Sequence, residues 1–399
     1  MGETASAPTT TTRTRDVDCW PCRLTGGGVM LGVSGYLLYE IQQVRRNART
    51  LPVSQYPRLH VGMMGAMSLV PEPKMALMRA ALFRTTGASS VLECVANNAA
   101  KPVPGKGQLL VRNQFIGINF IDTYHRTGLY KVPLPYIPGR EASGVVEAIG
   151  DGVKGFTVGD RVAYMAANCC AEYALATEDQ TIVVPENVSM EEAAALLLQG
   201  ATAMSLARLV YEVKKGDHVL IHAAAGGTGQ LLVQVCKQYG AIVIGTTSSP
   251  EKAETAKKAG ADHVLLYTQQ DVPAEVMKIT GGKGVQVVYD GIGKSTFDIS
   301  LACLARLGTM ASFGNASGKV ADIDIMKLVP NAVKLMRPSL FQFIKDRSDF
   351  EFLVQPLMDL FNQGKLKIHI HKVYALDDIK SAHDDLEGGK TQGKLILRV

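Results

Sequence analysis

The sequence predicts an α/β fold that combines a doubly wound parallel sheet with a β-rich domain. Two patterns carry this prediction. Between residues 218 and 313, short apolar strands alternate with helical segments, the order found in parallel sheets that have helices on both faces. Between residues 78 and 185, short apolar runs are interrupted by Gly and Pro, which is typical of an irregular β-rich domain.

The elements follow from hydrophobic periodicity and capping residues. Ser189 and Glu192 form a capping box that opens an Ala/Leu-rich helix running toward Tyr211. In the alternating region and the tail, apolar runs and turn residues define the remaining elements. They predict strands at 218–222, 241–246, 263–267, 285–289, 310–313, 367–374 and 394–397, and helices at 229–238, 251–258 and 349–362.

Size and composition indicate about two domains plus an extension. The chain has 399 residues, of which 47% are hydrophobic and 20% are charged, as in globular proteins. The net charge is +5, but the basic residues are dispersed, with no run longer than a pair such as Arg45-Arg46, so nucleic-acid binding is not favoured. Most of the seven cysteines are isolated in apolar stretches, which indicates buried thiols in a reducing compartment.

A composition break near residue 75 sets off an N-terminal extension, residues 1–77. Residues 24–39 carry no charge, but this stretch of 16 residues falls just below the ~17–25 that a membrane-spanning helix needs. The interval from Glu40 to Glu72 holds four arginines and no acid between its ends, as in organelle-import segments and cytoplasmic flanks of membrane spans. The extension is therefore a possible membrane anchor.

A glycine-rich turn follows the first strand of the alternating region. In the run His222-Ala-Ala-Ala-Gly-Gly-Thr-Gly229, small residues fill the three positions of a dinucleotide-binding fingerprint. The backbone at such a turn must approach a pyrophosphate that binds at the helix N-terminus. The predicted cofactor-binding residues are Ala224, Gly226, Gly227, Thr228 and Gly229; a turn with only a packing role is the alternative.

The residues after the second strand favour NADPH. An NAD enzyme usually places an acid there, but this chain has hydroxyls, including Ser248 and Ser249, followed by Lys252. Hydroxyls and a lysine suit a 2′-phosphate, which an acid would repel. Tyr267, at the end of the next strand, is predicted to lie against the adenosine. The alternative for Lys252 is a solvated helix face, which the adjacent Glu251 favours.

The metal-ligating residues do not favour zinc, so no metal ligand is predicted. A zinc dehydrogenase needs three or four Cys, His or acidic ligands at workable spacing. The clustered thiols after Met78 are Cys169-Cys170, and adjacent cysteines rarely chelate one ion together. His125 and Glu141 are nearby candidates, but a four-cysteine lobe is lacking.

Several motifs together resemble the zeta-crystallin-type quinone oxidoreductases of the medium-chain dehydrogenase/reductase superfamily. The resemblance covers about residues 78–399 and is carried by motifs at 117–130, 138–144, 159–162, 223–229, 288–293, 312–315 and 337–340. It implies a GroES-like catalytic domain, split in sequence into 78–201 and 338–399. A Rossmann NADP-binding domain at 202–337 would lie between them. It also implies a homodimer.

The resemblance also assigns residues by position. Asn119 stands where zinc-containing members have a metal-binding cysteine, and Arg140 replaces the histidine of their Gly-His-Glu turn. Lys252 and Tyr267 match positions that hold the adenosine phosphate, while Gln199 stands where the family usually has a lysine. The resemblance also implies that the catalytic residues Asn119, Asp122 and Tyr130 lie in the cleft and that Thr202 and Asn315 lie near the nicotinamide.

The resulting function is zinc-independent reduction of a quinone by NADPH. Asn119 or Tyr130 is a candidate to stabilise a developing oxyanion, although Tyr130 is equally expected as a plain wall of the cleft. Two alternatives stay open: an enone or alkenal reductase, and an NADPH-binding protein with a structural or RNA-binding role. RNA is not expected as a partner, because the sequence lacks a basic patch interleaved with aromatic residues.

The extension has a resemblance of its own. Asp18-Cys-Trp-Pro-Cys-Arg23 and the glycine-rich run to Tyr39 resemble the distal membrane-arm assembly components of mitochondrial complex I. This implies a mitochondrial location with membrane contact through residues 24–39. Cys19 and Cys22 have the spacing of a metal or redox pair. A mis-joined reading frame with initiation near Met75 or Met78 is the alternative, and it would leave a cytoplasmic enzyme.

Overall fold

The computed structural model describes residues 76–399. The uncharged stretch 24–39 and the Cys19/Cys22 pair lie outside the described residues. The strands are β1 (Leu77–Leu82), β2 (Glu93–Ala100), β3 (Gln108–Ile118), β4 (Glu141–Ile149), β5 (Arg161–Met165), β6 (Tyr173–Thr177), β7 (Thr181–Val183), β8 (His218–Ile221), β9 (Ile242–Thr247), β10 (His263–Leu266), β11 (Val285–Asp290), β12 (Leu304–Ser312), β13 (Lys334–Met336), β14 (Ile370–Ala375) and β15 (Lys394–Arg398).

The helices alternate with the strands in the second half of the chain. They are α1 (Phe120–Thr127), α2 (Met190–Ser205), α3 (Gly227–Gln238), α4 (Pro250–Lys258), α5 (Val272–Ile279), α6 (Phe297–Ala302), α7 (Leu340–Phe343), α8 (Arg347–Asn362) and α9 (Ile379–Glu387). A wider helical turn, Leu206–Val210, continues α2.

Six parallel strands form one sheet in the order β10-β9-β8-β11-β12-β13, so chain order reverses between β8 and β11. This confirms the doubly wound parallel sheet that the alternation predicted. The predicted strand at 310–313 is longer than expected and begins at Leu304. The strands of this sheet lie between residues 218 and 336.

A second sheet has the order β14-β15-β3-β4-β5-β7, with β6 also paired to β3, and it confirms the β-rich domain. Its strands come from residues 108–183 and, after the parallel sheet, from residues 370–398. Strand β15 pairs in parallel with β14 and antiparallel with β3, so the C-terminal segment completes this sheet. The domain boundaries at 201/202 and 337/338 stay predictions.

Helix α2 packs within the core that the two sheets share. Its capping box is formed as predicted: the Glu192 amide donates to Ser189 Oγ (3.1 Å), and the Ser189 amide donates to Glu192 Oε2 (3.1 Å). Within residues 76–399, the segment Met190–Val210 alone is long and apolar enough to cross a membrane, but 72% of its most apolar window is buried. It is therefore a core helix of this fold, with Gly200 facing Leu357 of α8.

One backbone contact joins the second sheet to the glycine-rich turn after β8. The Gly393 amide, just before β15, donates to the Ala225 carbonyl (3.0 Å), and Gly226 and Gly393 form an isolated β-bridge. Gly393 has φ +80°, and a Cβ there would lie 2.1 Å from the His369 carbonyl oxygen. Glycine is thus required at position 393 for the backbone of this segment to reach the turn. The two sheets lie on opposite sides of a cavity at this point.

Candidate active site

A cavity of about 480 Å³ lies at the carboxyl ends of β8, β11 and β12, where chain order in the parallel sheet reverses. Ligands of open α/β sheets bind at such a switch point. One wall is the glycine-rich turn, and the opposite wall comes from the corner between β3 and α1. Aromatic rings line much of the rest: Phe120, Tyr124, Tyr130, Phe313 and Phe341. The cavity therefore suits a planar, largely apolar ligand.

The glycine-rich turn keeps space free at the N-terminus of α3. Gly226, Gly227, Thr228 and Gly229 all line the cavity. A Cβ on Gly229 would lie 2.3 Å from the Ala223 carbonyl oxygen, and one on Gly227 would lie 2.1 Å from Gln199 Oε1. The first amide groups of a helix point outward and favour an anion. This geometry fits the pyrophosphate of a dinucleotide.

The predicted adenosine residues lie outside that cavity, around the carboxyl end of β9. Ser249 caps α4 by accepting from the Lys252 amide (3.4 Å), and the Ser248 carbonyl accepts from Thr268 Oγ1 (3.3 Å). The Lys252 ammonium donates to the Gly389 carbonyl, and burial lowers its pKa. Tyr267 follows β10 and is 55% exposed. The Lys252 ammonium is thus held near the carboxyl end of β9 by the Gly389 carbonyl instead of extending into solvent.

The polar end of the cavity is a network of two tyrosines, an asparagine and an arginine. Arg337 Nη2 donates to the Tyr130 hydroxyl (2.9 Å), and Arg337 Nη1 donates to the Gly314 carbonyl (2.9 Å). The Asn315 amide oxygen faces both groups, accepting from Tyr130 Oη (3.1 Å) and Arg337 Nη2 (2.8 Å). The Asn315 backbone amide donates to the Tyr124 hydroxyl (2.7 Å). Burial raises the pKa of Tyr124 to about 12, so this phenol stays protonated.

A buried charged cluster lies behind the Asn119 wall. Lys394 Nζ is 2.5 Å from Glu141 Oε1 and 2.8 Å from Asn119 Oδ1, and Asn119 Nδ2 donates to Glu141 Oε1 (2.8 Å) and the Gly117 carbonyl (3.2 Å). Both amide protons of Asn119 are therefore engaged. Among residues 76–399, no three His, Cys, Asp or Glu side chains form a group that could hold a metal ion.

Of the five positions predicted for the cleft and the nicotinamide end, three line the cavity, whereas Asp122 and Asn315 do not. Asn119, Tyr130 and Thr202 line the cavity. Asp122 was expected there, but it is fully buried: Oδ2 accepts from the Asn119 amide (2.9 Å) and Oδ1 from the Gly139 amide (3.0 Å). Burial raises its pKa to about 6. The Asp122 carboxyl therefore holds the β3–α1 corner and does not line the cavity.

Ala224 needs the same correction. It is fully buried, its amide donates to the Thr246 carbonyl (3.1 Å), and its methyl group fills the space that a side chain on Gly245 would need. It therefore packs the turn against β9 instead of lining the cavity.

Three site residues were not predicted. Tyr124 lies in the motif that contains Tyr130, so its polar tip among aromatic residues was a usable signal. Arg337 lies in a motif that was recognised without a role for its charge. Lys394 was placed in a strand, but its partner Glu141 is 253 residues away, and no local pattern relates them.

Two family models match the described part of the chain. The alcohol dehydrogenase GroES-like domain matches residues 105–204, and the zinc-binding dehydrogenase model matches residues 227–356. Outside the described residues, a DMAC1/Dmo2-like domain matches residues 18–66.

Similar proteins match over most of their length. A probable quinone oxidoreductase of Schizosaccharomyces pombe is 43% identical over 314 residues, which are 78% of this chain and 94% of that protein. A 2-haloacrylate reductase of a Burkholderia species is 41% identical, over 74% of this chain and 91% of that enzyme. The crystal structure of Escherichia coli quinone oxidoreductase complexed with NADPH is 39% identical, with a TM-score of 0.78. The match covers 80% of this chain and all of that one.

Proposed function

Because this chain belongs to the zeta-crystallin-type quinone oxidoreductases of the medium-chain dehydrogenase/reductase superfamily, we propose that it reduces a quinone with NADPH and without zinc. The observation that carries the proposal is the continuity of one cavity. The same space contacts the glycine-rich turn at one end and the Tyr130–Arg337 pair at the other. A dinucleotide and a flat acceptor can therefore meet inside it.

The chain's part in the reaction is to bind, orient and exclude water. Bound NADPH supplies a hydride from its nicotinamide ring. The α3 N-terminus would hold the pyrophosphate, and the part of the cavity lined by Thr202 would receive the nicotinamide end. The aromatic walls bring the two reactants together and keep water away, which strengthens every charge interaction within.

Of the two residues predicted to stabilise negative charge on the acceptor, Tyr130 fits and Asn119 does not. Both amide protons of Asn119 are engaged by Glu141 and Gly117. The Tyr130 hydroxyl accepts from the Arg337 guanidinium, which polarises its O–H bond and strengthens it as a donor. A quinone oxygen at this end of the cavity replaces the Asn315 amide oxygen as the acceptor of the hydrogen bond that the Tyr130 hydroxyl donates.

A second candidate activity is the reduction of an activated carbon–carbon double bond. It is supported by the similarity to 2-haloacrylate reductase, since the same hydride donor serves any conjugated electrophile. Rates with 1,2- and 1,4-quinones, measured beside those with alkenals and 2-haloacrylates, separate the two. A protein that binds NADPH tightly but reduces none of them has a structural role instead.

The cofactor preference is tested at Lys252. We expect Lys252→Ala to raise the dissociation constant of NADPH by about 10–100-fold, because a charge-assisted contact of about 1.5–3 kcal/mol with the 2′-phosphate is lost. The dissociation constant of NADH should not change. Lys257→Ala, on the exposed face of the same helix, is the matched control. Equal losses for both cofactors, measured by fluorescence titration, contradict the assignment.

The role of Tyr130 is tested by its hydroxyl. We expect Tyr130→Phe to lower kcat for quinone reduction by about 10²-fold, the usual effect of removing one oxyanion donor, with little change in NADPH affinity. Asn119→Ala is expected to act through packing and to change NADPH affinity as well. Tyr136→Phe is the control, because the Tyr136 ring packs against Phe83 at a tilted angle and does not line the cavity. If Tyr130→Phe keeps a normal kcat, the hydroxyl has no role in catalysis and Tyr130 only lines the cavity.

We also infer a homodimer that forms along the edge of the parallel sheet. Strand β13 ends the sheet, and the segment before it exposes Ile325 (73%), Met326 (63%) and Val329 (61%). Within residues 76–399, no strand pairs with the outer side of β13, and such an edge beside exposed apolar side chains favours pairing with a second copy. We expect Val329→Asp to shift the mass from dimer to monomer in light scattering. Val103→Asp, at another exposed site, should leave it unchanged; an unchanged Val329→Asp dimer contradicts this interface.

For the N-terminal extension we infer a mitochondrial membrane location. The match of residues 18–66 to the DMAC1/Dmo2-like domain and the uncharged stretch 24–39 support it. Yeast cells that express the full chain, or a chain starting at Met75, provide the test. We expect only the full chain to stay in mitochondrial membranes after carbonate extraction, and a soluble full chain overturns the inference.

A further inference from the structure

The ion pair between Glu141 and Lys394 has no part in the hydride transfer described above, yet it is nearly inaccessible to solvent. The Glu141 side chain is 0% exposed and the Lys394 side chain 1%, with 2.5 Å between Oε1 and Nζ. Burying two charges is costly unless they are closely paired and further hydrogen-bonded. Here that requirement is met, because Asn119 bonds both partners and Glu141 Oε2 accepts from the Leu198 amide (2.8 Å).

Each end of the pair is attached to a different wall of the cavity. Glu141 bonds Leu198 on α2, one residue before Gln199, and both residues line the cavity. Lys394 begins β15, and its neighbour Gly393 donates to the Ala225 carbonyl in the glycine-rich turn. The ion pair therefore connects α2 and the β3–α1 corner to the turn that receives the cofactor.

The Glu141 carboxylate needs a cation beside it, because an unpaired buried charge is costly. By resemblance, Asn119 stands where zinc-containing relatives have a metal-binding cysteine, and Arg140 replaces the histidine of their Gly-His-Glu turn. The Arg140 guanidinium packs over the Phe341 ring, 4.0 Å from its centre. Glu141 keeps its carboxylate, and the cation that reaches it comes from Lys394.

We propose that Lys394 is a positioning residue whose ammonium neutralises the buried Glu141 carboxylate and so fixes the separation between the cofactor-binding turn and the opposite cavity wall. This inference deepens the proposed function and rests on it, because the separation matters for the distance of hydride transfer. A misplacement of about 1 Å can cost roughly 10²-fold in rate. Lys394 acts through Asn119, Glu141 and Gly393 and does not touch the reacting atoms.

The test is a double-mutant cycle in the full chain with Lys394→Met, Glu141→Gln and the combined variant. In Lys394→Met, Glu141 is buried without a counter-ion. We expect the dissociation constant of NADPH to rise about tenfold and single-turnover hydride transfer to slow about a hundredfold. Using C4-deuterated NADPH, we expect the observed isotope effect to increase, since chemistry becomes slower than the other steps. Lys278→Met, which breaks the surface pair with Glu275, is the matched control.

The combined variant decides between positioning by charge and simple packing. It restores electrical balance, so we expect both quantities to recover at least tenfold relative to Lys394→Met. If Lys394→Met does not fold, Glu141→Gln is compared with the combined variant, and faster transfer in the latter supports the proposal. Additive losses, or single variants within threefold of wild type, overturn it.

The affinity measurement keeps this inference separate from the proposed function. NADPH binding is read from nicotinamide fluorescence and needs no acceptor. If the wild-type chain reduces no quinone, the proposed function fails. The role of Lys394 is still tested by whether the Lys394 and Glu141 substitutions act non-additively on the dissociation constant of NADPH. If quinone reduction is normal but the coupling is absent, only the role of Lys394 fails.

Discussion

The meeting of two glycines, Gly226 and Gly393, determines how the rest of the site is built. One belongs to the turn after β8 and the other to the start of β15, and their backbones pair directly. A side chain at Gly393 would collide with the His369 carbonyl. Because β15 must reach this turn, the chain completes the second sheet only after it has formed the parallel sheet. The cavity lies between the two sheets, beside the point where β15 meets the turn.

Around this joint, three positive side chains bond electronegative groups. Arg337 faces the Tyr130 hydroxyl, Lys394 faces the Glu141 carboxylate, and Lys252 faces the Gly389 carbonyl. Only the first is directed at the reacting end of the cavity. The second is sealed inside, and the third is close to the edge where a 2′-phosphate would bind. We propose that these three contacts serve chemistry, positioning and cofactor choice, respectively.

Local order was predictable where periodicity and caps agree. The β8–α3–β9–α4 unit lies within two residues of its predicted bounds, and the Ser189 capping box is formed. Helix α9 was missed because its sequence is mostly polar and buries few positions, among them Ile379 and Ala382. The site was predictable only in part. Asp122 was misplaced because a capping carboxylate and a ligand-binding one look alike in sequence, and Lys394 finds its partner only through the fold.

Direct hydride transfer from NADPH to a quinone, without metal, is the central claim. Anaerobic rapid mixing of the NADPH-loaded full chain with 1,4-benzoquinone, in the presence of a strong chelator, tests it most directly. The account predicts that one NADPH is oxidised for each hydroquinone formed, at a rate that the chelator does not change. Failure to oxidise NADPH, or oxidation that requires added zinc, would contradict it.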